Sequence, residues 1–189
     1  MSRAYRIRVS ESLNRTLRAE DSVSTQLELL EVLPCEQMAG LLQDELKRRG
    51  FEDCDGQLVR TDGELTTTID PTSGTVTVQA ESAKEIELQG QREGVGYDDF
   101  GPGEKSVRKA LTQKLKEDLA TQAEHEQDKL QSAATKRLEG HLTDLRAELN
   151  GAVNRVTAEA LKQKAAQIGQ IKEMTEDPQS GSLTIKVEV

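Results

Sequence analysis

Tryptophan is absent from this 189-residue sequence, and Phe and Tyr occur only twice each. Apolar residues make up 34% of the chain and charged residues 31%, so there is little material for a large globular core. No run approaches the roughly 20 apolar residues of a membrane-spanning helix. The opening "MSRAYRIRV" also lacks the apolar centre of a secretory signal. These absences predict a soluble, cytoplasmic protein.

Cysteine and histidine are scarce as well. Cys35 and Cys54 stand 19 residues apart without a CxxC motif, which favours reduced thiols over a structural disulfide. His125 and His141 are 16 residues apart, which is not the spacing of a helical metal pair, and neither lies in an HExxH motif. No GxSxG elbow is present. We therefore expect no enzymatic activity, no cofactor and no metal site.

Charge is distributed unevenly along the chain. The net charge is −9, and residues 1–103 alone sum to −9. The first eighteen residues are the exception, with a local charge of +4. A basic edge there could bind nucleic acid, but the acidic remainder and the lack of stacking aromatics disfavour that. The pattern favours docking of an acidic protein surface, with Arg6 and Arg8 as predicted partner-binding residues.

The amino-terminal part reads as a small antiparallel β module with one helix, over residues 1–88. Apolar residues alternate with arginines from 4 to 10, which predicts a strand. The segment "CEQMAGLLQDELKRRGF" places Met38, Leu41, Leu42 and Leu46 on one helical face. Short strands separated by turn signals are predicted at 58–60, 65–69, 76–80 and 86–88.

A pentapeptide is nearly repeated, as "DPTSG" at 70–74 and "DPQSG" at 177–181. Asp, Pro and Gly in this order suit a β-turn, and alternating apolar residues follow both copies. We predict two β-hairpins, the second over residues 169–189. A true internal duplication and a shared common turn both remain open. An isolated hairpin is marginal in water, so its apolar residues are predicted to bind a partner: Leu183, Ile185 and Val187.

Glycine is concentrated in "QGQREGVGYDDFGPG" at residues 89–103. A ligand-binding loop would need the strand-to-helix context and the lysine of a P-loop, and the segment has neither. The composition favours a flexible linker.

Residues 104–168 carry apolar residues at steps of three and four, which predicts a long amphipathic helix or coiled coil. A single helix would be about 95 Å long. A helical hairpin broken near Gly140 or Gly151 is the alternative, but the stripe stays in phase through both glycines. A lone stripe needs a partner in water, so we predict self-association. The predicted partner-binding residues are Leu130, Leu138, Leu142, Leu145, Leu149 and Val156.

The predicted class is α+β: the small antiparallel module, the long helix and a carboxy-terminal hairpin. Several segments resemble bacterial ternary-system accessory proteins, which are encoded beside an AAA+ ATPase of FtsH-like or MoxR-like type. They are "MSRAYRIRVSESLNR", "STQLELLEVLPCEQMAGLLQDELKRRGF", "DPTSGTVTV", "LRAELNGAVNRVTAEALKQKAAQIG" and "EDPQSGSLTIKVEV". The ending is also similar to very short companion proteins of the same gene clusters. The resemblance brings no catalytic residues and implies an AAA+ ATPase as partner.

Two functions are consistent with these features. The first is a non-enzymatic adaptor or accessory subunit that self-associates through its long helix and engages a protein partner, implied to be an AAA+ ATPase. The second is a chaperone-like or exchange-factor-like protein that acts on clients through paired long helices. A pull-down separates them, because an adaptor captures one dominant ATPase whereas a chaperone captures many unrelated clients.

Overall fold

The computed structural model describes residues 4–97, 103–176 and 183–188. Their fold is α+β, as predicted, with a five-stranded antiparallel sheet, one short and one long helix, and a carboxy-terminal hairpin. The elements are β1 (Ala4–Gln26), α1 (Cys35–Arg48), β2 (Glu52–Cys54), β3 (Gln57–Asp62), β4 (Leu65–Asp70), β5 (Thr75–Tyr97), α2 (Glu104–Ile168), β6 (Gln170–Glu176) and β7 (Leu183–Glu188).

The five-stranded sheet has the order β1-β5-β4-β3-β2, and β6 pairs with β7 in a second sheet. Strands β3 to β5 form the predicted meander of neighbouring antiparallel strands. Strand β2, which was not predicted, extends it by pairing with β3. Strand β1 is much longer than the predicted segment 4–10, and the predicted strand 86–88 is an internal part of β5. The predicted single helix over 104–168 is confirmed by α2.

The chain divides into two compact units. The first contains residues 1–20 and 81–135, and the second contains residues 21–80 and 136–189. Strands β1 and β5 and helix α2 each contribute residues to both units. The units therefore do not follow the predicted boundaries at residues 88, 103 and 168.

In the first unit, α2 packs on one face of β1 and β5. Ile7 and Val9 of β1 form a buried cluster with Leu115 and Leu119 of α2. A second cluster continues along the same face and joins Leu17, Ile86 and Ala123. The apolar stripe of the helix is thus covered by strands of its own chain. In this unit no partner helix is needed to cover the stripe, and self-association through α2 stays a prediction.

Residues 89–97 belong to β5, which corrects the prediction of a flexible linker over 89–103. Residues 98–102 lie outside the described part of the chain. Three glycines in this stretch face packed side chains: a Cβ at Gly90 would lie 2.7 Å from Leu115, and one at Gly94 would lie 2.8 Å from Leu111. The third, Gly96, has the ring of Tyr5 in the same position. The glycines therefore permit close packing within a strand rather than a flexible connection.

We expect Gly90→Val to destabilise the protein by about 1 to 3 kcal/mol, because the added methyl groups would overpack the contact with Leu115 and Leu119. The matched control is Gln91→Val, since Gln91 is the next residue of β5 and its side chain is exposed. Urea unfolding of both variants measures the difference. Equal free energies of unfolding for the two variants would contradict the close packing of Gly90 against α2.

The buried apolar residues of the second unit lie on α1, the meander and the second half of α2. The predicted face of α1 is buried at Met38, Leu42 and Leu46, whereas Leu41 is half-buried. Strand residues such as Leu58 and Ile69 are fully buried as well. The buried apolar residues of α2 in this unit are Leu138, Leu145, Leu149, Ala152, Val156, Ala160 and Ala165.

The turn "DPTSG" between β4 and β5 has the predicted chemistry. One carboxylate oxygen of Asp70 accepts a hydrogen bond from the Thr72 amide at 2.9 Å, and the other accepts one from the Ser73 hydroxyl at 2.8 Å. These hydrogen bonds, first that from Ser73, lower the pKa of Asp70. Gly74 has φ of 71°, where a side chain would be strained. The second copy, residues 177–181, lies outside the described residues.

Candidate protein-interaction surfaces

The predicted arginines lie on the exposed face of β1, opposite the face that α2 covers. Side chains alternate along the strand, so that Ile7 and Val9 are buried while Arg6 and Arg8 are exposed. Arg8 forms an ion pair with Glu93 of β5, at 2.5 Å between Nη2 and Oε1. Arg6 makes no ion pair within the described part of the chain. Its guanidinium therefore remains available to a partner.

The exposed face differs in charge between the two strands. In the first unit β5 contributes only carboxylates as charged groups to this face, at Glu81, Glu85, Glu87 and Glu93. On β1, from Ala4 to Thr16, the same face contributes only Arg6 and Arg8 as charged residues. The β1 side of this surface is therefore basic although the whole chain is acidic.

Strand β1 is at the end of the sheet order, so one of its edges has no neighbouring strand among the described residues. Two glutamines of α2, one turn apart, donate hydrogen bonds to backbone carbonyls of β1. Gln127 reaches the carbonyl of Arg18 at 2.6 Å, and Gln131 reaches the carbonyl of Glu20 at 2.8 Å. The helix thus covers part of the edge with its own amide donors. The spacing of Gln127 and Gln131 shows that they share a helix face, but the sequence gives no sign of what they bind.

Ion pairs connect α2 to β5 within the first unit. Lys84 of β5 and Lys129 of α2 contact different oxygens of Glu126, at 2.9 and 2.8 Å. Hydrogen bonds from Lys129 and then Lys84 lower the pKa of Glu126 to about 2. Arg92 contacts Asp118 at 2.5 Å. These side chains already have partners within the chain, so they are poor candidates for binding another protein.

The six predicted residues of α2 do not form an exposed stripe. Leu138, Leu145, Leu149 and Val156 are each at most 4% exposed. Leu142 is half-buried. The sixth, Leu130, is half-buried against the cluster of Leu17, Ile86 and Ala123. Four of the six are thus buried within the single chain and two are half-buried, and their role in binding a partner helix stays a prediction.

A network of arginines and glutamates joins α1, β3 and α2 in the second unit. Arg60 makes a bidentate pair with Glu148, at 2.8 and 2.9 Å, and its guanidinium lies 4.5 Å from the centre of the Phe51 ring. Arg49 donates to the backbone carbonyl of Glu148 at 3.1 Å and to the carboxylate of Glu45, a residue that is 5% exposed, at 2.9 Å. The network anchors α2 to the elements that precede it in sequence.

The bidentate pair shifts the pKa of both partners. The hydrogen bonds from Arg60 lower the pKa of Glu148 against the opposing effect of burial. The same hydrogen bonds raise the pKa of Arg60. Sequence reasoning missed this pair, because 88 residues separate its members and only the fold brings them together. The pair of Glu45 and Arg49, four residues apart on a helix, had a local signal.

A family model described as FtsH ternary system domain X5 matches residues 1–189. The chain belongs to this family. No curated protein and no solved structure matches this chain. The match agrees with the resemblance to accessory proteins of FtsH-associated ternary systems, and the name suggests a protein partner such as FtsH.

The carboxy-terminal hairpin of this FtsH ternary system domain has two chemically different faces. Ile171 pairs with Val187 and Met174 with Ile185, which places these apolar residues on one face together with Leu183. Leu183, Ile185 and Val187 are half-buried, whereas Met174 is 45% exposed. The structure thus confirms that the three predicted residues share one strand face, and that face is partly open to solvent.

The opposite face of the hairpin carries charged residues in pairs. Lys186 contacts Glu173 at 2.5 Å, and Lys172 contacts Glu188 at 2.6 Å. These pairs are exposed and contribute little to stability. They leave the apolar face as the chemically distinctive part of the hairpin.

The scarce cysteines and histidines form no shared site among the described residues. Both cysteines are free and exposed. The buried Nε2 of His141 has no hydrogen-bond partner. No group of three or more His, Cys, Asp or Glu in the described ranges could hold a metal ion. Neither α1 nor α2 contains a stretch that is both long and apolar enough to cross a membrane.

Proposed function

We propose that this chain is a non-enzymatic accessory subunit of an FtsH ternary system, and that it acts as an adaptor that binds the AAA+ ATPase of the system. The observation that carries the proposal is the family match over residues 1–189. The sequence contributes no catalytic motif, and many of the described charged residues form ion pairs within the chain. A protein with these properties contributes binding surfaces to an assembly. Its place of action, in this proposal, is the cytoplasm.

The chaperone-like alternative is less well supported. It requires helices that offer apolar surface to clients, and the stripe of α2 is buried at Leu115, Leu138 and Leu145. Self-association through α2 is less well supported for the same reason, because a buried stripe does not need a partner helix to cover it. An oligomer would have to form through other surfaces, so we do not include one in the proposal.

The hairpin of β6 and β7 is our candidate for the element that binds the ATPase. Two strands alone rarely form a stable sheet in water, and this hairpin is separate from the five-stranded sheet. Its partly open apolar face can be covered by a partner. Leu161 and Ile168, at the end of α2, are 38% and 57% exposed and add apolar surface near it in sequence.

We expect deletion of residues 170–189 to abolish capture of the ATPase in a pull-down from the native host, with the captured proteins identified by mass spectrometry. The full chain should capture one dominant AAA+ ATPase. Circular dichroism should show that the shortened chain keeps its helical signal, because the deletion spares α1 and α2.

Point substitutions provide the matched test. Ile185→Lys places a charge on the apolar face and should weaken capture, whereas Thr184→Lys places the same charge on the polar face and should not. Capture of many unrelated proteins by the full chain would instead favour the chaperone-like alternative. Undiminished ATPase capture by the shortened chain would show that the hairpin is not the binding element.

A further inference from the structure

The exposed edge of β1 from Ala4 to Thr16 combines three properties that determine which ligand it fits. They are the direction of its backbone amides, the charge on its exposed face, and the apolar character of its covered face. All three follow from the alternation of residues along a β-strand.

The hydrogen bonds from Gln127 and Gln131 identify the backbone groups at this edge. The carbonyls of Arg18 and Glu20 accept them, so both point away from β5. The alternation of side chains is unbroken along the strand, because the buried residues on the covered face are all odd-numbered: Ile7, Val9, Leu17 and Ala19. Residues of the same parity as Arg18 therefore turn their backbone groups to the free edge: Arg6, Arg8, Ser10, Ser12, Asn14 and Thr16.

Between Ala4 and Thr16, no side chain of the described residues donates a hydrogen bond to a β1 carbonyl. Along α2, Gln127 is the first residue whose side-chain amide donates to a carbonyl of β1. These donors therefore cover only the later part of the edge. An uncovered edge presents a row of unpaired N–H and C=O groups, which is the template for addition of another strand.

The side chains beside this edge select the sequence of the added strand. On the exposed face, an added strand would place its side chains next to Arg6 and Arg8. A carboxylate is favoured beside Arg6, because Arg8 is already paired with Glu93. On the other face, its side chains would lie next to Ile7 and Val9 at the border of the α2 interface, where apolar residues are favoured. Strand β5 pairs with the other edge of β1. Its residues 85–88, "EIEL", show the same alternation of acidic and apolar residues.

We infer that the edge of β1 from Ala4 to Thr16 is a strand-addition site for an extended protein segment that alternates acidic and apolar residues. The inference deepens the proposed function and rests on it, because the ligand is a segment of the protein partner. A second copy of this edge fits poorly: its exposed-face row from Ala4 to Thr16 carries two arginines and no carboxylate.

The test uses the full chain and two fluorescent synthetic peptides, one alternating Glu with Val and the other alternating Lys with Val. Fluorescence anisotropy measures binding of each peptide. The Glu peptide should bind at least about tenfold more tightly than the Lys peptide. Arg6→Glu should reverse this preference, whereas Arg15→Glu, the same charge change on the other face of the strand, should alter binding less than about twofold.

Ser10→Pro removes an edge N–H donor and should abolish binding of the Glu peptide, since proline is tolerated at edges but cannot donate. Thermal unfolding verifies that this variant remains folded. Any of three results would overturn the site: equal binding of the two peptides, binding of neither peptide, or equal effects of Arg6→Glu and Arg15→Glu. So would a doubling of the mass of the full chain in light scattering that Ser10→Pro abolishes, because a second copy would then occupy the edge.

The pull-down distinguishes this inference from the proposed function. If the wild-type chain captures the ATPase and Ser10→Pro captures it equally well, the edge is not the site but the adaptor function stands. If even the wild-type chain captures no ATPase, the proposed function itself fails.

Discussion

Leu138→Ala should lower the free energy of unfolding by about 2 to 5 kcal/mol, as expected when a fully buried leucine is truncated. Leu138 is 1% exposed within a single chain. Its burial is therefore part of folding rather than of association. The measurement is urea unfolding followed by circular dichroism at several protein concentrations.

The concentration series separates the two explanations of the apolar stripe. If strands of the same chain cover it, the unfolding midpoint does not depend on protein concentration, whereas a stripe covered by a second chain gives a midpoint that rises with concentration. Leu161→Ala is the matched control on the same helix, because Leu161 is 38% exposed, and it should cost less than about 1 kcal/mol. A concentration-dependent midpoint would restore the predicted self-association through α2.

Arg60→Ala should cost about 2 kcal/mol at neutral pH, because it removes two charge-assisted hydrogen bonds to Glu148; the figure allows for solvent screening at the partly exposed carboxylate. It also removes the contact of the guanidinium with the Phe51 ring. Arg108→Ala is the control, since its pair with Glu104 is exposed on both sides and should contribute less than about 0.5 kcal/mol. Similar losses for both variants would show that the network does not anchor α2.

The same pair gives a pH dependence with a definite sign. The folded-state pKa of Glu148 is lowered from its ordinary value of 4.5. Its contribution is therefore fully present above pH 4.5 and is lost as the pH falls below 4.5, through the folded-state pKa. The difference in stability between the wild-type chain and Arg60→Ala should shrink over that acidic range. A difference that stays constant would contradict the assignment of the stabilisation to an ionised Glu148.

Local patterns predicted the elements well where the signal lies within a few residues. The face of α1 at Met38, Leu42 and Leu46 follows from helical spacing, and the turn after Asp70 follows from its Pro and Gly neighbours. The continuity of α2 follows from an apolar stripe that stays in phase through Gly140 and Gly151. In each case the physical cause is a short-range preference of the backbone.

The glycines near the end of β5 show where a local interpretation is wrong. Glycine is the usual residue of flexible linkers, and it is also the residue that lets a strand approach another element closely. Gly90 and Gly94 have the second role, because Leu115 and Leu111 of α2 occupy the space where side chains would be. The composition of a segment does not distinguish the two roles, since the deciding neighbours lie elsewhere in the chain.

The α+β class, the long helix, the terminal hairpin and the family could all be predicted from the amino-acid sequence. Three features could be seen only in the folded chain: the strands that cover the apolar stripe in the first unit, the pair of Arg60 and Glu148, and the open edge of β1. A sheet of the same chain and a partner helix can bury the apolar stripe of a helix equally well, because the hydrophobic effect is not directional. The choice depends on contacts between residues far apart in sequence, such as those of Ile7 with Leu115, which no local pattern encodes.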